Sequence, residues 1–197
     1  MIVYAFDIGG TSVKHALIDT DKWPNPIIVR KKTRYHGTNN FEGLKEIVLE
    51  MIAETLSEGM DFSCIAISTT GGVDLDGRVM SSGFFTGYGG KSWKEVLSHS
   101  YPELGNVHTM NDGRASAWAE YLACSPQPNI FVHFVLGTGI GGSSIINGKL
   151  VTGEYGAAGY LGHIKVSSSS TDVCSCGRTG CVETFASGPS ILHEYRN

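Results

Sequence analysis

The run Ile2-Val-Tyr-Ala-Phe-Asp-Ile-Gly-Gly-Thr-Ser-Val-Lys14 decides the fold. The apolar stretch Ile2 to Phe6 predicts a buried strand, Asp7-Ile-Gly-Gly-Thr11 a reversal, and Ser12 to Ile18 an alternating strand that returns beside the first. Gly9 and Gly10 carry no Cβ, so the backbone amides of such a turn can approach a phosphate closely. Asp7 is suited to holding a hydrated Mg²⁺, Thr11 adds a hydroxyl donor, and Lys14 closes the motif with a cation. Taken alone, the same residues also make an ordinary hairpin turn.

Outward from this hairpin, strand and helix patterns alternate. Ile27 to Lys32 reads as a third strand. From Phe41 to Leu56 the residues Leu44, Ile47, Val48, Met51, Ile52 and Leu56 recur at helical spacing until Gly59. Glu42, Glu46, Glu50 and Glu54 form the wet face of that helix. Cys64 to Ile67 is a buried type of strand, followed by a loop from Ser68 to Gly72. Asp74 to Gly90 is rich in turns, and Trp93 to Leu97 is a short helix. Val107 to Met110 is a strand that delivers Asn111 and Asp112 to a helix over Ala115 to Ala123. Ser125-Pro-Gln-Pro128 is the clearest boundary. Beyond it come a strand, Ile130 to Leu136, a glycine loop, Gly137 to Gly142, and a hairpin of Ser143 to Ile146 with Lys149 to Val151 around Asn147-Gly148. Two hairpins, each within an α/β pattern, predict two related lobes, residues 1–123 and 124–197.

Composition narrows the class. The chain has 197 residues, 41% of them hydrophobic, enough to build a core without disulfide staples. Its 26 glycines come in pairs between apolar runs and its prolines number only 6, which excludes a collagen-like or low-complexity chain. A net charge of −4 offers no polybasic footprint for nucleic acid. Leu122 to Gly148 lacks Asp, Glu, Lys and Arg, yet Pro126, Pro128 and its glycines forbid a membrane helix. Met1 opens no secretory pattern, so the expected location is cytoplasmic, with no membrane partner. Three of the 5 cysteines crowd into Cys174-x-Cys176-x4-Cys181, a poor disulfide framework and a good zinc one.

Three further stretches carry chemistry. Gly137-Thr-Gly-Ile-Gly-Gly142 follows a strand, like a dinucleotide fingerprint, but the β-branched run after it cannot open the helix that fold needs. A phosphate-contacting turn between two strands fits Thr138, Gly139, Gly141 and Gly142 better. Asp112 stands at a strand end before a helix. A carboxylate there commonly caps the helix, and it is also placed to act as a general base in phosphoryl transfer. His163 with Cys174, Cys176 and Cys181 would close a tetrahedral Cys3His zinc site with no open position, hence a structural one. Glu183, two residues past the last cysteine, would be held rigidly by the same wrap, or would simply be a solvated helix-start carboxylate.

In order along the chain, Asp7-Ile-Gly-Gly-Thr11, Ser68-Thr-Thr-Gly-Gly72, Asn111-Asp112, Gly137-Thr-Gly-Ile-Gly-Gly142, Ala158-Gly-Tyr-Leu-Gly-His163 and Cys174-Ser-Cys-Gly-Arg-Thr-Gly-Cys-Val-Glu183 with Ala186-Ser-Gly188 resemble the ROK family of sugar kinases. The resemblance implies an α/β fold of the actin/hexokinase-like ATPase type, two ribonuclease H-like lobes with a cleft between them. It implies Asp112 as the base that deprotonates the sugar hydroxyl attacking Mg-ATP. Gly9, Gly10 and Thr11, with Thr138 to Gly142, would cradle the phosphates. Asn111, His163 and Glu183 would hold sugar hydroxyls, His163 serving zinc as well, and Gly71 and Gly72 would line the sugar's other side. The family resemblance also suggests a homodimer.

Two departures from the family pattern bear on substrate and length. Tyr160 stands where relatives commonly carry a glutamate, so one phenolic oxygen replaces a carboxylate that accepts two sugar hydroxyls. N-acetylmannosamine kinases tolerate change there and are favoured over glucose or β-glucoside kinases. The chain ends at Asn197, within the helix predicted from Pro189 to Arg196, whereas family members continue, so the second lobe is expected to be incomplete. The expected activity is ATP-dependent phosphorylation of a hexose or N-acylhexosamine at the 6-hydroxyl. The alternative is a sugar- and zinc-binding relative that lost turnover with its C-terminal part. The repressor branch needs a helix-turn-helix ahead of Asp7, where only six residues precede.

Overall fold

The computed structural model describes residues 1–23, 26, 28–35, 37–102 and 106–196. By compactness the chain divides into Met1–Asp112 and Gly113–Asn197.

In the first unit, β1 (Ile2–Ile8) and β2 (Ser12–Asp19) form the expected antiparallel hairpin, with Asp7 opposite Lys14 and Ile8 opposite Val13. β3 (Ile28–Tyr35) joins the outer edge of β2 and runs three residues past Lys32, while Ile27 lies outside the described residues. α1 (Phe41–Ser57) starts where the Asn40 side chain accepts the Gly43 N–H at 2.9 Å, an N-cap that satisfies one orphan donor. It ends at Gly59, whose φ of +72° is the left-handed turn that glycine adopts freely. Leu44, Val48, Met51 and Ile52 of α1 join Tyr4, Phe6 and Ile8 of β1 in one buried cluster. On the wet face, Arg34 pairs with Glu50 at 2.9 Å and with Glu54 at 2.7 Å.

β4 (Cys64–Thr69) and β7 (Val107–Asn111) complete the sheet, in the order β3-β2-β1-β4-β7. Both pairings on this side are parallel, with Asp7 beside Ser68 and Thr69 beside Asn111. Ser68 and Thr69 therefore finish β4 instead of opening a loop. Gly72–Val73 form a short β5 against β6 (Val79–Ser81), inside the turn-rich stretch. α2 (Trp93–Ser100) extends one turn beyond Leu97.

The second unit begins in α3 (Asp112–Ala123), which starts three residues ahead of Ala115. Its Ser116 hydroxyl lies 3.0 Å from His133 Nε2, and the Tyr121 and Phe131 rings are 5.8 Å apart, which ties the helix to β8 (Ile130–Leu136). The division consequently falls ahead of the Ser125-Pro-Gln-Pro128 break. β9 (Ile140–Ile146) and β10 (Lys149–Leu150) give an antiparallel sheet ordered β10-β9-β8. The reversal from β9 to β10 has φ of 49° at Asn147 and 72° at Gly148, the conformation that Asn-Gly favours. Only Gly137–Gly139 of the predicted glycine loop is turn, because Ile140, Gly141 and Gly142 pair with Leu136, Val135 and Phe134. α4 (Glu183–Ala186) and α5 (Gly188–Arg196) follow the cysteine wrap. Among the described residues, β8 is the outer strand of its sheet, and Ile130, Val132, Phe134 and Leu136 are exposed along it. No helix among them is long and apolar enough to cross a membrane.

The end of β4 is pinned by a buried polar knot. Tyr88 Oη lies 2.8 Å from Thr69 Oγ1 and accepts the Trp93 Nε1–H at 2.6 Å. Burial pushes the Tyr88 hydroxyl up to about 12, so it stays protonated through the neutral range. Tyr88→Phe takes that hydroxyl from both neighbours and should cost about 1–3 kcal/mol of stability, read as a lower urea midpoint. An unchanged midpoint would contradict the assignment.

Candidate functional site

Parallel pairing brings the C-terminal ends of β1, β4 and β7 to one edge of the first sheet, the edge where open α/β sheets bind ligands. Asp7 sits there between its two cross-strand neighbours. Its Oδ2 is 3.3 Å from Lys14 Nζ, and its Oδ1 accepts the Ser68 hydroxyl at 3.2 Å. The turn beyond it is closed by the Gly9 N–H donating to Ser12 O at 3.0 Å, and Thr11 is exposed at its tip. A Cβ on Gly10 would stand 2.6 Å from the Phe84 ring, so this aromatic rests directly on the turn.

Asn111 joins the other two strand ends. Its Nδ2 donates to Gly71 O at 2.8 Å and to Asp112 Oδ1 at 2.9 Å. Gly71 has φ +96°, and a Cβ there would fall 2.2 Å from Ser81 O, so both conformation and space demand glycine. Gly72 is buried as the first residue of β5. The structure thus groups Asp7, Gly9, Gly10, Thr11 and Lys14 on the hairpin, and Gly71, Asn111 and Asp112 on one hydrogen-bonded link.

In the second unit, Gly137 N–H donates to Gly139 O at 2.9 Å, leaving Thr138 exposed at the turn. Gly142 has φ +146°, and a Cβ on it would meet His133 O at 2.1 Å; Gly141 lies against Gly113. The Ala158–His163 segment runs against the start of β9, since a Cβ on Gly162 would be 2.1 Å from Ile140 O. The Tyr160 and His163 rings stack with centroids 6.3 Å apart.

A ring nitrogen of His163 and the sulfurs of Cys174, Cys176 and Cys181 all lie within 4.8 Å of one another. Nδ1 is 3.4 Å from Cys174 Sγ, and Cys176 Sγ is 3.7 Å from Cys181 Sγ. Zinc bonds of about 2.3 Å to sulfur and about 2.0 Å to nitrogen set tetrahedral edges of roughly 3.8 and 3.5 Å, close to these two separations, so the cluster could hold such an ion. The wrap depends on Gly177, with φ +81°, and Gly180, with φ +75°; a Cβ on Gly180 would collide with Ser167 O at 1.8 Å. At Cys176 burial opposes ionisation, but hydrogen bonds from Arg178 overcome it and draw the thiol down to about 7. Burial and the neighbouring sulfurs push Cys181 up to about 11, a preference that a divalent ion would reverse. Coordination through Nδ1 leaves His163 Nε2 available to a second partner.

Glu183 closes the second site. Its Oε2 accepts the Ile140 N–H at 2.9 Å, and its Oε1 accepts the Ser175 hydroxyl at 2.8 Å, with Cys174 Sγ 3.5 Å away. Burial disfavours its charge, yet these donors and the charge of His163 outweigh that and hold the carboxyl below its ordinary value. Three participants are absent from the sequence reading: Phe84 on Gly10, Ser68 as a partner of Asp7, and Arg114. Arg114 is buried in the first turn of α3, donates to Ala158 O at 3.5 Å, and is lowered by burial against the opposing influence of Tyr160. Ser68 belongs to the conspicuous Ser-Thr-Thr-Gly-Gly run, but its partner follows only from the parallel register.

The sequence model of the ROK family matches residues 3–197. An N-acetylmannosamine kinase of Shigella boydii is 33% identical over 193 residues, covering 97% of this chain and 63% of its own length. The solved ROK family glucokinase of Streptomyces griseus, in complex with glucose and AMPPNP, superposes with a TM-score of 0.83 at 28% identity, over 98% of this chain and 59% of that one. The ROK hexokinase of Thermus thermophilus gives a TM-score of 0.77 at 25% identity, over 99% of this chain and 63% of that one. The chain thus has the actin/hexokinase-like ATPase fold and spans less than two thirds of the length of these relatives.

Gly71→Ala puts a side chain into a left-handed backbone and against Ser81 O. It should lower stability by at least about 1–3 kcal/mol in urea unfolding. Gly37→Ala, whose Cβ would meet nothing within 4 Å, is the matched control and should be near neutral. Equal effects of the two would contradict the close approach described.

Proposed function

The chain belongs to the ROK family, and from that premise we propose that it transfers the γ-phosphoryl group of Mg-ATP to the 6-hydroxyl of a hexose or N-acylhexosamine. N-acetylmannosamine is the favoured acceptor, in keeping with the curated relatives at 33% identity, and glucose or a glucoside comes next. The observation that carries the reading is the Asn111 link, which orients the Asp112 carboxylate at the end of β7. Asp112 takes the proton of the 6-hydroxyl as that oxygen bonds to the γ-phosphorus; the bond to the β-phosphate oxygen breaks and ADP leaves.

The glycine turns at Gly9–Thr11 and at Thr138–Gly142 offer backbone N–H groups to phosphate oxygens, and Asp7 would hold hydrated Mg²⁺, which neutralises charge there. Asn111, His163, Glu183, Gly71 and Gly72 hold the sugar, with Tyr160 in place of a carboxylate. His163 can serve twice, Nδ1 toward a metal and Nε2 toward a hydroxyl. We assign structural zinc to His163, Cys174, Cys176 and Cys181, because four protein donors leave no position for a reacting water. The same reading makes the protein a cytoplasmic homodimer.

Coupled ADP release over a sugar panel tests the proposal. Release should depend on an acceptor sugar, and Asp112→Asn should reduce kcat by about 10²–10⁴-fold with little change in KM. Equal activity in the two proteins would remove Asp112 from the mechanism. Thermal stabilisation by a sugar without ADP release would instead favour the binding-only role. Metal analysis of protein purified without chelator should find one zinc per chain, and finding none would overturn the zinc assignment.

A further inference from the structure

We infer that Glu183 is a positioning residue that joins the Cys/His metal centre to the second glycine turn, so that metal occupancy sets the order of that turn. Its meaning for catalysis rests on the phosphate role proposed above for Thr138–Gly142. The joint itself rests on contacts within the second unit alone.

The metal donors bracket both ends of the joint. Glu183 lies two residues past Cys181, and the Ser175 hydroxyl that its Oε1 accepts at 2.8 Å lies between Cys174 and Cys176. Its other oxygen, Oε2, accepts the Ile140 N–H at 2.9 Å, at the first residue of β9. That reach requires glycine one residue earlier, because a Cβ on Gly139 would stand 2.6 Å from Oε2. Two further contacts hold the same turn. Gly188 N–H donates to Gly137 O at 2.9 Å, five residues beyond Glu183. Gly162, the neighbour of the donor His163, packs so tightly on Ile140 that a Cβ would lie 2.1 Å from its carbonyl oxygen. The turn is therefore held at Gly137 O, at Ile140 N–H and at Ile140 O by segments adjoining the metal donors. A solvated helix-start carboxylate would make none of the Glu183 contacts.

An ion closing the tetrahedron fixes the backbone on both sides of Ser175 and just ahead of Glu183. Without it, four donors no longer share a centre, and the carboxylate loses the frame that aims it at Ile140. The strand pairing of β8 and β9 persists, while Gly137–Ile140 gains freedom.

Amide hydrogen exchange of the full chain, without nucleotide, reads this directly. After chelator treatment verified by metal analysis, exchange across residues 137–140 should accelerate by about tenfold or more. The Gly9–Thr11 turn of the first unit should hold its rate. Glu183→Ala, with its metal content verified as retained, should give the same local acceleration, and Glu183→Gln, which keeps an acceptor oxygen, should give a smaller one. Unchanged exchange at 137–140 in metal-free protein, or in Glu183→Ala, would overturn the inference; so would acceleration spread evenly over both units in every sample. Calorimetric titration of the metal-loaded chain with Mg-AMPPNP separates the two readings. Absence of binding would remove the phosphate role of the turn and leave the exchange result to decide the joint.

Discussion

The parallel register of β1, β4 and β7 is the constraint on which the first unit depends. Side chains alternate along a strand, so a slip of one residue would turn Tyr4, Phe6 and Ile8 out of the core. The same slip would separate Asp7 from Ser68 and Thr69 from Asn111. Burial of the core thus selects the register, and the register brings the polar residues to one edge. Asp7, Gly71, Asn111 and Asp112 need no packing of their own to be grouped. The Asn111 amide, donating to both Gly71 O and Asp112, then converts proximity into a fixed orientation.

The second unit reaches order by another route. Its sheet has three strands, and beyond β10 the chain enters a wrap bridged at Lys165–Cys181 and Val173–Thr179. Four side chains able to hold a metal ion converge there, and left-handed Gly177 and Gly180 let the chain close around them. The glycine excess of the composition has a physical use at these positions. Gly71, Gly139, Gly162 and Gly180 each stand where a Cβ would strike a neighbour closer than 3.0 Å. The backbone itself comes into contact at these points, which suits chemistry made of positioning and hydrogen-bond donation more than of many charges.

What was legible in the sequence was local. Both hairpins, α1 with its carboxylate face, and the Cys174–Cys181 wrap with His163 could be read from spacing, because each is fixed by residues within a few turns of chain. Boundaries failed where composition and pairing disagree. Gly137–Gly142 reads as a loop, yet its second half is strand, since Gly142 crosses close to His133. Ser68 and Thr69 look like loop residues, yet parallel pairing extends β4 through them. The contacts that build the sites were not legible at all. Ser68 on Asp7, Phe84 on Gly10, Arg114 on Ala158 and Glu183 on Ile140 each join segments 43 to 74 residues apart, and no short pattern encodes them. Asn111 and Asp112 were legible as candidates, but the bond from the Asn111 amide to Gly71 O was not.

The central claim is that Asp112, held by Asn111 at the end of β7, directs phosphate to a primary sugar hydroxyl. Its most direct test is the position of the phosphate in the product. After incubation with Mg-ATP and N-acetylmannosamine, proton–phosphorus correlation NMR should connect the new phosphorus signal to the methylene protons at carbon 6. A phosphorus signal coupled to the anomeric proton, or inorganic phosphate with unmodified sugar, would contradict the account.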